Sequence, residues 1–465
     1  MSLSRRDFLR MSCCSAAGVG LAAGISRFGM INALAQSSAD YKALVCIFLF
    51  GGNDGNNLII PMGSGSAPGS YQNYANLRSA LALPFGSLTG TTVTTLTGGV
   101  PYAFHPQFVN LARLWNQRKA AVLTNVGTLI TPITKTQWDA GTVPVPSNLF
   151  SHSDQQMEWQ TADPTQQGST GWAGRVADSV RPIYDPRATF PTITTVAGAN
   201  IFTVGINGHP ASSPPGAISD LNGFDTTDPA QQARLAAMQQ LLTFDTGLSL
   251  VQSASGITGQ AFADSNALGA ALAQGTPFQT VFPNSDLGNQ LQQVARIIQV
   301  HSRLGNAGLN RQIFFCSIGG FDTHSGQLPD QNQLFSLLDP AMSAFYDATV
   351  EMNVSSRVTT FTLSDFGRTL KEASGAGSDH AWGNHHIVMG GAVQGGDLYG
   401  RFPIQQLSGP DDATDEGRWI PTTSLDQYAA TLALWFGVPN GGPGSVNSIF
   451  PNLTNFSTPK LGFLG

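Results

Sequence analysis

Asp54, Asp322 and Asp365 each stand just beyond a run of apolar residues, and histidines crowd the same part of the chain. The first acid follows Leu44–Phe50 (LVCIFLF) and lies in Gly51-Gly52-Asn53-Asp54-Gly55-Asn56-Asn57. The second follows Gln312–Ile318 (QIFFCSI), again after two glycines, in Gly319-Gly320-Phe321-Asp322-Thr323-His324. The third follows Arg357–Leu363 (RVTTFTL), in Ser364-Asp365-Phe366-Gly367. Of the eight histidines, His324, His380, His385 and His386 fall within residues 324 to 386. Carboxylates mixed with imidazoles suit Zn²⁺, Mn²⁺ or another borderline ion. Carboxylates alone would suit Mg²⁺ or Ca²⁺. Taken singly, each acid also reads as a turn residue, and Asp365 as the cap of a helix opening at Gly367. Taken together, their placement points to a metal or catalytic site.

The apolar runs read as buried strands, because they lack the polar alternation of a half-exposed one. Ligands of parallel α/β sheets bind beyond the carboxyl ends of the strands, where these acids would gather. Phe108, Leu111, Leu114 and Trp115 recur at helical spacing after His105-Pro106, and Lys119–Gly127 reads as the next strand. Strand, long polar loop over 62–100, helix, strand is the order of a parallel βαβ unit. Helical patterns follow at 153–162, 170–180, 228–248, 286–305 and 424–437, the last with Ser424 as N-cap. Two further strands are expected within 191–206. No repeat, charge run or clear linker interrupts the chain, so one α/β domain is expected over 36–465.

The N-terminus carries Ser4-Arg5-Arg6-Asp7-Phe8-Leu9-Arg10, a weakly apolar stretch, and Ala33-Leu34-Ala35. That is the pattern of a twin-arginine signal peptide spanning 1–35, exported folded by the twin-arginine translocase. A periplasmic or secreted location follows. The signal holds four Arg and one Asp, so cleavage takes the net charge from −6 to −6 − 3 = −9. Such a chain is a poor partner for nucleic acid or an anionic membrane, and no other segment approaches a membrane span. Only Cys46 and Cys316 remain in the mature chain, each in a strand-like run. Two buried thiols are expected, with a disulfide between neighbouring strands as the alternative.

The segment GGFDTH, helix, TTFTLSDFG, SDHAWGNHHIVMGG resembles the alkaline phosphatase superfamily, which includes the sulfatases. Nearly the whole mature chain resembles the exported bacterial family DUF1501. The resemblance is carried by the twin-arginine start, GGNDGNN, Ser-His before a helix, Phe-Asp-Thr-His and Asp-His-Ala-Trp-Gly-Asn-His-His. It implies a three-layer α/β sandwich with a mixed, mostly parallel central sheet, and hydrolysis of phosphate or sulfate esters. It implies one or two divalent metal ions (Zn, Mn, Mg or Ca), with Asp54, Asp322, His324, Asp365, His380 and His385 as the metal ligands. By position, Ser151 would be the nucleophile and His152 a ligand or acid/base. An anionic ester, small or polymeric, would be the substrate.

Three departures from the superfamily pattern stand out. Phe366 occupies a position where His or Asn is expected, and His380 is the candidate to replace that ligand. The Asp322/His324 pair is spaced more tightly than usual. No cysteine stands where a sulfatase carries its modified nucleophile. A non-catalytic exported protein that binds a partner or polymer, and a hydrolase of uncharged esters, are therefore the competing expectations.

Overall fold

The apolar runs form adjacent strands of one sheet in a computed structural model, which describes residues 41–164, 168–216, 224, 227–244 and 247–465. Twelve strands fall among these residues: β1 (Lys42–Leu49), β2 (Ile59–Pro61), β3 (Thr92–Thr94), β4 (Pro101–Phe104), β5 (Ala120–Gly127), β6 (Ile193–Thr195), β7 (Ala211–Ser212), β8 (Arg311–Ile318), β9 (Val358–Ser364), β10 (Asn384–Gly390), β11 (Leu398–Tyr399) and β12 (Thr423–Ser424). The central sheet runs β11-β5-β10-β9-β1-β8-β6-β7, with β12 also on β5. All its pairings are parallel except those of β10, which runs antiparallel to β5 and β9. The sheet is thus mixed and mostly parallel, as expected.

Helices follow in the order α1 (Tyr71–Arg78), α2 (Val109–Asn116), α3 (Lys135–Ala140), α4 (His152–Thr161), α5 (Trp172–Tyr184), α6 (Pro229–Thr243), α7 (Ser249–Leu272), α8 (Asp286–Gln299), α9 (Gln327–Glu351), α10 (Leu425–Phe436) and α11 (Val446–Ile449). Every residue of β1 beyond Lys42 is buried. Burying an aliphatic or aromatic side chain of this kind contributes about 1.5–3 kcal/mol. Phe48, Leu123, Phe315, Phe361 and Val388 on the sheet share one core with residues of α5 and α10, including Trp172, Tyr428 and Leu432. Ser424 caps α10 through its Oγ, and Gln427 completes a capping box, as its sequence position suggests.

The order β9-β1-β8 decides the function-bearing edge. These neighbours are parallel, so their carboxyl ends, and with them Asp365, Asp54 and Asp322, come out on the same side. Because β10 is antiparallel to β9, the segment 379–383 leading into it lies at that edge too. β5 is also antiparallel to β10, so it ends there, and the loop after it delivers α4.

Several local expectations give way. The 62–100 loop contains α1 and a small sheet, β2-β4-β3. Residues 201–203 form a 3₁₀ turn rather than a strand. The helical pattern at 228–248 ends at Thr243, and α7 after it gives little periodic signal because it is rich in Ser, Ala and Gly. No helix starts at Gly367. Cys46 and Cys316 are both free and buried. Cys46 lies opposite Phe315 and Cys316 opposite Ile47, so the two thiols project from opposite faces and no disulfide can join them. Burial pushes both thiols above their ordinary pKa. The signal peptide expected at 1–35 lies outside the described residues. No helix among the described residues is long and apolar enough to cross a membrane.

Candidate metal centre

Glycine sets the first turn of this edge. Gly51 and Gly52 have φ of +114° and +82°, a region costly for residues with a Cβ. A Cβ at Gly52 would lie 2.4 Å from the Phe366 ring, and one at Gly51 would lie 2.5 Å from the Asp322 backbone nitrogen. The chain after β1 therefore passes close over both neighbouring strand ends, which is why two glycines stop a buried strand.

Asp322 is the focus of the cluster. Its Oδ1 lies 3.0 Å from His324 Nε2 and 3.4 Å from Nε2 of both His152 and His380. His324 Nε2 and His380 Nε2 are 2.9 Å apart. One ligand atom from each of His152, Asp322 and His380 falls within 4.8 Å of the others. Arg368, fully buried, donates from Nη2 to the same Asp322 Oδ1. Its Nη2 and Nε also reach the carbonyls of Gly51 and Gly52, at 3.0 and 3.1 Å. Burial alone would raise the Asp322 carboxyl pKa, but the Arg368 hydrogen bond and charge, with His152 and His324, hold it below the usual range.

The far nitrogens of all three rings are tied to acceptors. His152 Nδ1 is 2.7 Å from Asp365 Oδ2, His324 Nδ1 is 3.2 Å from Asp379 Oδ1, and His380 Nδ1 is 2.7 Å from the Phe150 carbonyl. Carbonyls and carboxylates only accept, so each Nδ1 carries a hydrogen, and a ring that is neutral turns its Nε2 lone pair inward. Three Nε2 atoms and a carboxylate oxygen then converge. Nε2 of His152 is buried with no hydrogen-bond partner. With the rings neutral, this group is repulsive unless a cation or an added proton enters it. Imidazoles that donate from one nitrogen to a carboxylate or carbonyl while turning the other inward are the usual form of metal-binding histidine. The donor set therefore fits a borderline divalent ion.

Phe366 forms a floor. Its ring centre is 4.8 Å from that of His152 and 4.6 Å from that of His380, so the residue that cannot bind metal packs against two that can. The Asp365 hydrogen bond raises the His152 pKa against the effect of burial, while burial lowers that of His380. The Asp322 and His324 side chains are each 47% exposed, which leaves the centre open to solvent on that side.

Three residues expected as ligands sit elsewhere in the network. Asp54 is buried against Arg78, and Gln327 Nε2 donates to the same Oδ2 at 2.5 Å. Its Oδ1 accepts from the backbone and side chain of Asn56, at 3.0 and 3.1 Å. With four protein donors on two oxygens, Asp54 holds the turn together. Asp365 is fully buried and accepts from Gly51 N, His152 Nδ1 and Gln156 Nε2, at 3.2, 2.7 and 2.8 Å. It stands behind His152. His385 lies at the bulge between β10 and β5, where its Nδ1 accepts from the Asn125 N–H at 3.0 Å and its ring stacks on Phe402. Burial takes its pKa down to about 3, and it remains outside the cluster.

Ser151 occupies the N-cap position of α4, but its side chain makes no capping bond, and its Oγ meets Ser153 Oγ at 3.2 Å. The hydroxyl thus leaves the backbone N–H groups of the first turn uncapped and meets only a side chain of the helix. Arg368, Asp379 and Gln156 are site residues that sequence reasoning misses. Asp379 adjoins His380, and Gln156 lies one helical turn after His152 on the same face, a spacing that could have pointed to it. Arg368 offered no signal, since nothing in the sequence tells a buried arginine from a surface one. Arg175 donates to the carbonyls of Thr161, Thr170 and Ile449, which occupies its guanidinium away from the cluster.

No curated protein matches the chain. Among solved structures it is similar to the PsFucS1 sulfatase from Pseudoalteromonas sp. at 10% identity and TM-score 0.34, over 89% of this chain and 71% of that one. It is similar to the lipoteichoic acid synthase LtaP from Listeria monocytogenes at 8% identity and TM-score 0.29, over 83% and 76%. A mutant of the alkaline phosphatase PafA matches at 9% identity and TM-score 0.26, over 72% and 64%. Likeness at this level carries no argument about chemistry. The family model "Protein of unknown function (DUF1501)" matches residues 101–409, a stretch that holds every side chain of the cluster. The chain belongs to the DUF1501 family.

Proposed function

We propose that this chain is an exported, metal-dependent hydrolase of phosphate or sulfate esters. The observation that carries the reading is the convergence of three imidazole Nε2 atoms on Asp322, each ring locked by an acceptor behind it. His152, Asp322, His324 and His380 would hold the ion. A divalent ion there supplies positive charge against the anionic oxygens of a bound ester.

The protein's own part is positioning. Asp365 and Gln156 fix the His152 ring, Asp379 fixes His324, and the Phe150 carbonyl fixes His380. Arg368 keeps Asp322 ionised and in place. Ser151 precedes His152 directly, and its hydroxyl, which makes no capping bond, is the candidate nucleophile. The open side at Asp322 and His324 gives a substrate its approach.

The test is hydrolysis of aryl phosphates and aryl sulfates by protein loaded with Zn²⁺ or Mn²⁺. Turnover that falls at least a hundredfold in Asp322→Ala and His380→Ala, and at least tenfold in Ser151→Ala, supports the reading. Tight metal binding without turnover of either ester class would make the chain a binding protein. Turnover confined to uncharged carboxylic esters would replace the substrate class.

A further inference from the structure

A second cavity opens on another part of the molecule. The helix α7 carries Ile257, Ala261, Asp264 and Leu268 along one face, spaced four, three and four residues apart. Facing them are Phe190 and the segment 209–212, which includes β7. Between them lies a chamber of about 480 Å³, and the ring of Phe224 packs 6.2 Å from Phe262 on its lining. A neighbouring chamber of about 470 Å³ is lined by Asp178, Arg181, Thr189, Thr192 and Asn207. His209, Gln260 and Asp264 line both, so they stand at the junction. Both volumes lie within the ~300–1,000 Å³ of small-molecule sites.

Polarity divides the two chambers. In the second, Asp178 is satisfied by the backbone N–H groups of Ile206, Asn207 and Gly208 at 2.6, 3.1 and 2.9 Å. Arg181 is engaged by the carbonyls of Phe190 and Ala188 at 2.9 and 2.5 Å. Asp264 differs. Gln260 Nε2 donates to its Oδ1 at 2.8 Å, and no donor from the described residues meets Oδ2. Burial raises its pKa against the Gln260 hydrogen bond and the charge of Arg181, and a further cation beside it would favour the charged form.

We infer that this junction binds a cationic amphiphile, its apolar chain in the chamber of Phe190, Ile257, Phe262 and Leu268 and its ammonium head on Asp264. A carboxylate on the lining of a largely apolar chamber favours an ammonium donor over an anionic head of the same length.

The probe is decylammonium, compared with decanoate and decanol by isothermal titration calorimetry of the full chain below their micelle concentrations. Saturable binding of one decylammonium, at least tenfold tighter than decanoate, is expected. Ala261→Trp fills the apolar chamber and should weaken it at least tenfold. Asp264→Asn should bring decylammonium to the level of decanol. Should Ala261→Trp lose its native circular dichroism, Ser265→Phe on the same lining takes its place. The inference is overturned if decylammonium shows no saturable binding, if decanoate binds as tightly, or if the folded variants bind as the parent does.

Discussion

Asp365→Asn separates a residue that positions a ligand from one that is a ligand. The carboxylate accepts three hydrogen bonds: one on Oδ1 from Gly51 N, and two on Oδ2 from His152 Nδ1 and Gln156 Nε2. An amide of the same shape has one accepting oxygen. Placed toward His152 and Gln156, that oxygen keeps two bonds, and the NH₂ then faces the Gly51 N–H, donor against donor. One bond is lost and a buried donor is left unpaired, a cost of about 1–3 kcal/mol in folding stability. His152 keeps its orientation but loses the negative charge behind it. Removing such a partner typically weakens metal binding ~10–100-fold and leaves the first shell intact, whereas deleting a ligand takes a donor out of that shell. The assay is competition with a chromophoric zinc chelator, with urea unfolding of the same samples. Zinc affinity reduced within that range, with one ion still bound, is the expected result. Complete loss of zinc from a folded Asp365→Asn protein would make Asp365 a ligand, and unchanged affinity would refute its role behind His152.

Three other outcomes follow from buried charge and backbone geometry. Asp426 is fully buried with an unpartnered Oδ1, and burial raises its pKa to about 7. A raised carboxyl favours the fold fully below its unfolded pKa and loses that contribution as pH climbs toward 7, at ~1.4 kcal/mol for each tenfold fall in proton concentration. Asp426→Asn should therefore gain about 2.5 kcal/mol more over the parent at pH 8 than at pH 5 by urea unfolding, and a pH-independent difference would contradict this. Arg78→Ala strands Asp54 as a buried charge and should cost about 3–5 kcal/mol, read in the same way. Gly52→Ala meets both a positive φ and the Phe366 ring, so it should lose about 2–4 kcal/mol in unfolding experiments, and zinc affinity with it, because Phe366 supports His152 and His380.

The strands were legible because burial on both faces leaves long apolar runs, nearly continuous in β1 and β8 and broken by threonines in β5 and β9. Their shared edge was legible because parallel neighbours end on the same side. What each acid does there was not. Asp54 and Asp322 follow the same glycine-acid signal, yet one meets Arg78 and the other three imidazoles. That difference depends on α1, which supplies Arg78 from within a stretch that reads as loop. His385 and His380 share one motif, but β10 begins between them, so one is drawn into the sheet and the other stays at its rim. Arg368 was invisible because its five donors meet mainly backbone carbonyls, which leave no trace in residue type.

The proposed chemistry depends on one cation held by side chains of three separate segments. Zinc K-edge X-ray absorption on protein loaded with one equivalent of Zn²⁺ tests this directly. The prediction is a first shell of nitrogen and oxygen at ~2.0–2.1 Å with scattering from three imidazoles, reduced by one imidazole in His380→Ala. A shell with fewer than two imidazoles, or one unchanged in His380→Ala, would contradict it.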